Sequence, residues 1–248
     1  MILNKIKNYI KKQDFYPTPL GIFLQPGYLL LKYRLQSIKN IAHIFKGGCL
    51  LDVGCGTKPY EPLFNVDSYV GLDIANGFHE NDRKLANVHY YDGKEFPFND
   101  NHFDYVISIQ VLEHVFEPEQ FIEESYRVLK PNGLLFITVP FCGYEHETPY
   151  DYGRYTSFGL KHLISKKGFK VIEQHKNGNY IDTLAQLITL YIYTRCFTKK
   201  GYLNVLISIF LCSPFMISGM ILARILPKDN TLYMDNVILA KKRSEMKI

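Results

Sequence analysis

The sequence has no tryptophan, and its five cysteines form no CxxC pair. The cysteines are widely spaced: Cys49, Cys55, Cys142, Cys196 and Cys212. This odd, scattered set argues against a zinc framework and against a disulfide scaffold, and it is typical of reduced, mostly buried thiols in a cytosolic protein. We therefore expect no metal centre.

A dense basic stripe is also absent. The net charge of +5 is spread along the chain, which is too mild to predict nucleic-acid binding but leaves a weak attraction to anionic membranes open. The first residues lack a continuous apolar core ahead of a small-residue cleavage site, so no signal peptide is expected. With 248 residues, 47% of them hydrophobic, the chain can bury one sizeable core.

Strand and helix patterns alternate from Cys49 onward. Helices are predicted at 118–130, ended by Pro131-Asn132-Gly133, and at 157–169. The alternation predicts a doubly wound sheet that binds ligands at the carboxyl ends of its strands. The apolar runs that predict strands are 49–53, 69–74, 103–109, 133–139, 170–176 and 236–242.

Four segments follow from these patterns. Residues 1–46 form an N-terminal helical segment interrupted by prolines, and 47–178 form the α/β core. Residues 179–230 form a hydrophobic helical insertion, and 231–248 return to the core as a last strand with a basic tail.

The stretch LLDVGCGTKPY (50–60) is a strand that runs into a glycine turn. Gly54 and Gly56 free backbone N–H groups for a ligand. The GxxxxGK[ST] phosphate loop is absent, and Pro59 stands where a dinucleotide site would have its third glycine. Asp52 suits a ligand with an amino group or a positive centre better than a phosphate. A tight turn without any ligand remains the alternative.

Acidic residues lie at the end of the predicted strand 69–74 and just after a third, short strand that ends before Asp92. Asp73 lies roughly 20 residues after the glycine turn, where a carboxylate receives two ribose hydroxyls, although it could also cap a helix. Asp92 could accept the exocyclic amine of an adenine, with Phe96 or Phe98 beside the ring. Ser108 to Gln110 would emerge on the same side. Together these positions predict a site for an adenosine with an amino-acid tail.

The series LDxGCG, GxD, D…PF and FDxVxxxxxLEHV, spread over residues 49–175, resembles the class I S-adenosylmethionine-dependent methyltransferases of the small-molecule group. The resemblance implies a Rossmann-like seven-stranded sheet with an antiparallel last strand, and S-adenosyl-L-methionine as cofactor. By carry-over from the family, the methionine end of the cofactor would contact Asp52, Gly54, Cys55 and Gly56, and the ribose would contact Asp73 and Ile74. The adenine would contact Asp92 and Gly93, and the transferred methyl group would lie near Gln110.

Two further stretches, GTKPYEPLF and HExPxDYxRYT, are similar to a subgroup found among bacterial surface-polysaccharide enzymes. This resemblance implies a glycan-like acceptor, free or lipid-linked. A non-catalytic cofactor-binding partner protein is the alternative function. A nicotinamide-dependent oxidoreductase is disfavoured because the third glycine is missing.

The acceptor chemistry is predicted to lie in two segments, Glu113-His114 and the loop 140–156. A hydroxyl acceptor needs a base, and His146 is the predicted one. Asp151, Arg154 and His114 are the other candidate catalytic groups. The alternatives are that Glu113-His114 caps the following helix, and that Asp151 and Arg154 form an ion pair that closes the loop.

Residues 203–223 contain no charged side chain, a length that could cross a membrane. A single span would leave the last strand on the far side of the membrane, so we expect a helical cap instead. Its outer face would dip into the cytoplasmic membrane interface, aided by Lys199, Lys200, Arg224 and Lys228. A buried cap, a homodimer surface and a true span are the alternatives.

Overall fold

The computed structural model describes residues 9–75 and 86–244. By backbone contacts the chain divides into two compact units. The helical unit contains the chain up to Ile38, Cys142–Tyr144 and Lys176–Asp235, and the sheet unit contains Lys39–Phe141, Glu145–His175 and the chain from Asn236 onward.

Seven strands form one sheet in the order β3-β2-β1-β4-β5-β7-β6. The first five pair in parallel, and the sheet closes with an antiparallel last strand, which confirms the predicted Rossmann-like fold class. The strands are β1 Cys49–Val53, β2 Ser68–Ile74, β3 Val88–Tyr91, β4 Phe103–Ile109, β5 Leu129–Pro140, β6 Phe169–Asn177 and β7 Asp235–Lys242.

The central strands are apolar on both faces because helices cover both sides of a doubly wound sheet. Residues Leu50 to Val53 of β1 are all buried, and so is most of β5. Phe103, Phe136 and Phe169 are among the largest side chains with no exposed surface. This continuous burial, rather than an alternating pattern, is what made the strands recognisable in the sequence.

The helices begin and end near their predicted positions. Thr156 caps one of them by accepting a hydrogen bond from the Gly159 N–H. The helix predicted at 118–130 ends earlier, at Val128, because Leu129 already belongs to β5. The α-helices are α1 Tyr28–Ala42, α2 Pro118–Val128, α3 Ser157–Lys166, α4 Tyr180–Cys196, α5 Gly201–Ile207 and α6 Ser213–Ile225.

The N-terminal helical segment predicted for residues 1–46 lies partly outside the described residues. From Tyr9 to Gln13 the backbone is helical, and Pro19–Phe23 forms a 3-10 helix.

The helical unit has its own apolar core, built from α1, α4 and α6. Gly219 of α6 lies so close to α4 that a Cβ there would come within 2.3 Å of the Ala185 Cβ. Gln186 ties the helices together, since its Oε1 accepts the Leu29 and Leu30 N–H groups while its Nε2 donates to the Pro26 carbonyl. The first N–H groups of α1 are therefore satisfied by a buried side chain.

A π-helical turn, Ser208–Cys212, joins α5 to α6. The continuous helix Gly201–Ile225 is long and apolar enough to cross a membrane by length and composition, and only 28% of its most apolar window is buried. Pro214 lies in the first turn of α6 and does not interrupt the helical path.

A buried lysine of β7 connects several segments of the sheet unit. The Lys242 Nζ donates to Asn101 Oδ1 and to the carbonyls of Tyr126 and Leu129, at 2.7–2.9 Å, and lies 4.5 Å from the centre of the Tyr126 ring. Three acceptors around one ammonium group satisfy its donors completely.

Replacing this lysine should destabilise the fold. We expect Lys242→Met to lower the free energy of unfolding by about 2–4 kcal/mol, because three buried acceptors lose a charged donor. Urea unfolding followed by circular dichroism measures the change. The neighbouring Lys241→Met, at a half-buried position, is the control and should change stability by less than about 1 kcal/mol. Equal effects of the two variants would contradict this role.

Candidate functional site

The predicted ligand-binding residues meet at one edge of the sheet. In the strand register Val53 of β1 lies beside Leu72 of β2 and Ser108 of β4, and Asp73 lies beside Tyr90 of β3. The carboxyl ends of four parallel strands therefore share an edge, as ligand sites of doubly wound sheets require.

The glycine turn is a tight, left-handed bend. Gly54 has φ +73° and Gly56 has φ +49°, and the Gly54 and Cys55 N–H groups donate to the Leu72 carbonyl. The Gly56 N–H donates to Asp73 Oδ2, so the prediction that these glycines leave their N–H groups free for a ligand is wrong. A Cβ on Gly54 would lie 2.3 Å from Val111 Cγ2. Glycine is thus required twice at position 54, for its dihedral angles and for the approach of the segment that follows β4.

The Asp52 carboxylate lies beneath this turn and not on its surface. The side chain is 3% exposed and accepts a 2.6 Å hydrogen bond from the Tyr69 hydroxyl. Burial raises the pKa of Asp52 to about 7, although the hydrogen bond from Tyr69 acts in the opposite direction. Cys55 is also buried, so its predicted part in cofactor binding can only come from its backbone.

Asp73, the predicted ribose-binding residue, accepts two backbone N–H groups at the end of β2. Its Oδ2 accepts the Gly56 N–H at 2.9 Å and its Oδ1 accepts the Ile74 N–H at 2.8 Å. Each carboxylate oxygen has a second lone pair, so both can still accept a hydroxyl. The Ile74 side chain is 43% exposed beside it and offers an apolar surface to a ring.

The adenine-binding prediction is only partly supported by the geometry. Asp92 and Gly93 are exposed, and a Cβ on Gly93 would meet nothing within 4 Å. Of the two aromatic partners predicted for the ring, Phe96 is wrong, since it is 3% exposed and packs edge-on against Tyr91 and Phe121. Phe98 is half-buried and packs edge-on against Phe103, and its contact with the ring stays a prediction.

Gln110 lies where β4 ends, with φ +58°, a conformation that non-glycine residues rarely adopt. Its N–H donates to the Thr138 carbonyl and its Nε2 to Thr138 Oγ1, at 2.9 and 3.2 Å. Strained backbone of this kind persists where the surrounding structure holds it, which is common at ligand sites.

The acceptor loop is held against the segment after β4. The Tyr152 and Gly153 N–H groups both donate to the Glu113 carbonyl, at 2.8 and 3.1 Å. Leu112–His114 is a 3-10 helix, and the Glu113 side chain has no exposed surface. His114 Nδ1 lies 2.8 Å from the Tyr150 carbonyl of the loop, so this nitrogen carries the proton and donates it to that carbonyl.

Asp151 organises the loop from inside. Arg154 donates two hydrogen bonds to its carboxylate, and the His146 N–H donates a third at 3.0 Å. Burial acts in the opposite direction, but these hydrogen bonds outweigh it and lower the pKa of Asp151 to about 2. The ion pair considered in the sequence is therefore formed, and Asp151 is too weak a base to take a proton near pH 7.

The same carboxylate orients the predicted base. His146 Nδ1 lies 3.3 Å from Asp151 Oδ2, and the rings of His146 and His114 meet edge to face, 4.8 Å between centres. A carboxylate that stays ionised can only accept, so in the neutral imidazole of His146 the proton lies on Nδ1 and the lone pair on Nε2. Buried Asp beside His is the arrangement that prepares imidazole for general-base work.

Glu113, which the sequence analysis placed with His114, joins this pair. Possible ligand atoms of Glu113, His114 and His146 lie within 4.8 Å of one another. Glu113 and His146 are 33 positions apart, and no local spacing signals that the loop folds back onto the end of β4. After the glycine turn, Lys58 Nζ donates to the Ala86 carbonyl and Tyr60 is buried.

Part of the chain is similar in sequence to a known domain family and to known proteins. The methyltransferase domain family matches residues 51–137. An uncharacterized protein of Methanocaldococcus jannaschii is 31% identical over 127 residues, covering 51% of this chain and 60% of that protein. The demethylmenaquinone methyltransferase of Listeria welshimeri is 35% identical over 120 residues, covering 43% and 50%.

Among solved structures, phosphoethanolamine N-methyltransferase 2 of Haemonchus contortus in complex with S-adenosyl-L-methionine has a TM-score of 0.54 at 20% identity, over 94% of this chain and 59% of that one. This likeness shows the fold alone. The chain spans only 50–60% of the length of the two curated relatives. The sequence similarity to the methyltransferase domain family is therefore confined to residues 51–137, and the structural similarity extends to the Rossmann-like fold.

The buried Asp52 should make stability depend on pH. Its folded pKa of about 7 exceeds the unfolded value of about 3.9, so the folded chain binds more protons between these values, and stability is lost as pH rises through this range. Asp52→Asn keeps an acceptor for Tyr69 but cannot ionise. Relative to the unsubstituted chain, its unfolding free energy should therefore rise by roughly 1–3 kcal/mol from pH 5 to pH 8.

Guanidinium unfolding at both pH values measures this difference. Asp92→Asn, at an exposed carboxylate that also accepts a backbone N–H, is the control. A constant difference between Asp52→Asn and the unsubstituted chain across this range would contradict a buried acid with a raised pKa.

Proposed function

We propose that this protein is an S-adenosylmethionine-dependent methyltransferase that methylates a hydroxyl oxygen of a glycan-like small molecule, free or lipid-linked. The observation that carries the proposal is the fixed imidazole pair His114 and His146 at the carboxyl end of β4, with Asp151 held as an anion behind it. A non-catalytic cofactor-binding protein would have no need of an oriented imidazole at this point.

The residues at the sheet edge fit the cofactor. The Asp73 carboxylate can hold the ribose, and Ile74 and the open space at Gly93 can accept the adenine. We assign the turn from Gly54 to Gly56 to the methionine end, because residues without a Cβ let a ligand approach the chain closely. When bound, the cofactor supplies a sulfonium methyl that is already electrophilic. The protein must then place the acceptor oxygen in line, exclude water and take up a proton.

The side chains near the imidazoles support an acceptor with hydroxyls on a flat ring. Tyr150 and Tyr152 are 52% and 47% exposed, and Phe116, 71% exposed, packs edge-on against Tyr152. Exposed aromatic rings with hydroxyl groups suit the apolar faces and polar rims of sugars. We assign Asp151 and Arg154 to positioning, because each is already engaged with the other, and His146 to removal of the hydroxyl proton.

Methyl transfer tests this proposal directly. The chain is incubated with ¹³C-methyl-labelled cofactor and bacterial polar-lipid or polysaccharide fractions, and the chemical shift of the product separates O-methyl from N-methyl groups. We expect O-methyl product, and we expect His146→Ala to lower turnover by about 10²–10⁴-fold with cofactor affinity by titration calorimetry unchanged. His162→Ala, on the exposed face of α3, is the control. Loss of cofactor binding in His146→Ala would instead make His146 structural.

We further propose that the helical unit attaches the protein to the cytoplasmic face of a membrane. Large apolar side chains of the helix Gly201–Ile225 remain at the surface, among them Phe210, Ile221 and Ile225, which are 70%, 50% and 72% exposed. A monomer rarely exposes such a contiguous apolar patch. The flanking cations are Lys199, Lys200, Arg224 and Lys228, a combination typical of helices that lie in an anionic lipid interface.

Vesicle flotation tests the attachment. The purified chain should float with vesicles that contain anionic phospholipid and less with neutral ones. Changing Phe210, Ile221 and Ile225 together to Gln should abolish flotation, whereas Phe158→Gln, at an 83% exposed position of the sheet unit, should not. Failure to float, with a dimer that the triple variant dissociates in light scattering, would assign the surface to a second copy of the chain.

A further inference from the structure

Glu113, His114 and His146 form a compact set of nitrogen and oxygen donors. One possible ligand atom from each lies within 4.8 Å of the others, and His114 Nε2 is 3.9 Å from Glu113 Oε1. The set comes from two segments, the 3-10 helix after β4 and the acceptor loop. Two imidazoles and one carboxylate are a common protein ligand set for divalent metals of the first transition row.

Both imidazoles are oriented from behind, as metal-binding histidines are. His114 Nδ1 donates to the Tyr150 carbonyl at 2.8 Å, and His146 Nδ1 faces the Asp151 carboxylate at 3.3 Å. Histidines that bind metals nearly always donate their other N–H to a backbone carbonyl or a carboxylate, which fixes the tautomer and the ring. Here His114 has the backbone carbonyl as its partner, and His146 has the carboxylate.

The charges around the set also favour a cation. Glu113 is completely buried, and Glu147 Oε2 lies 3.7 Å from His114 Nε2, so a second carboxylate is within reach as a fourth donor. Neighbouring ligands of a bound ion are about 3–3.4 Å apart. Binding would therefore draw the donors together by about 1 Å, and His146 and Glu147 lie on a loop between β5 and α3 that can supply this shift.

We propose that Glu113, His114 and His146 bind a divalent first-row cation, and that this cation holds the acceptor's hydroxyl oxygen. The second part rests on the proposed function. It replaces direct proton removal by His146 with metal activation, because the ring nitrogen of His146 cannot serve as ligand and base at once.

The chemistry balances with the proposed cofactor. A hydroxyl bound to the cation has a lowered pKa and gives its proton to solvent. The acceptor oxygen then bonds to the methyl carbon, and the electron pair of the carbon–sulfur bond returns to sulfur. The products are the methyl ether, the demethylated thioether and one proton, with no change in the oxidation state of the metal.

Binding of Co²⁺ to the chelator-treated full chain tests the site without any acceptor. We expect one Co²⁺ per chain, with the strong visible absorption of a nitrogen- and oxygen-ligated ion. His146→Gln and His114→Gln should each weaken binding by at least about 10-fold, and Asp151→Asn, which removes an outer partner, by about the same factor. His162→Gln is the control and should bind normally. Circular dichroism shows which variants are folded.

Absence of the absorption band, or its persistence in both folded histidine variants, would overturn the cation site. Methyl transfer separates the two proposals. Loss of transfer in chelator with recovery on adding Mn²⁺ or Co²⁺ supports the cation's role. Transfer that survives chelation but not His146→Ala overturns this role and leaves the proposed methyltransferase intact. An intact Co²⁺ site without transfer under any condition would overturn the proposed function, and with it the cation's role, but not the cation site.

Discussion

The pairing of Arg154 with Asp151 is the interaction on which the acceptor side of the molecule depends. It keeps a buried carboxylate ionised, and that carboxylate in turn holds the backbone and the ring of His146. A loop of sixteen or so residues without helix or strand pays a large entropic penalty when it adopts one conformation. Here the penalty is offset by one charge-assisted network and by two hydrogen bonds to the Glu113 carbonyl.

The cofactor side is organised differently, through backbone and burial more than through charge. The turn after β1 is fixed by its glycines and by the Leu72 carbonyl, and the acid beneath it is partly neutral near pH 7 and sealed by Tyr69. Asp73 presents a carboxylate beside the turn and also braces it through Gly56. The site thus combines a rigid backbone cradle with very few polar contacts, as small-molecule sites commonly do.

The sequence was sufficient for the sheet, because continuous apolar runs and glycine stops are local signals. It also placed Asp73 and Gln110 at the correct edge, since parallel strands share their carboxyl ends. It failed for Phe96, because an aromatic residue after a strand fits a core as well as a ligand. It could not bring Glu113 to His146 either, because that contact depends on how a loop folds back and not on spacing along the chain.

The packing around Gly54 restricts which substitutions this protein can accept. Its missing side chain is the space that Val111 occupies, and Val111 lies between Gln110 and the segment that carries Glu113. A larger residue at position 54 could not be accommodated locally, because it would push the end of β4 and the donors that follow it. The cofactor turn and the segment after β4 are therefore packed against each other, and a substitution at Gly54 or at Val111 has to be matched by one at the other position.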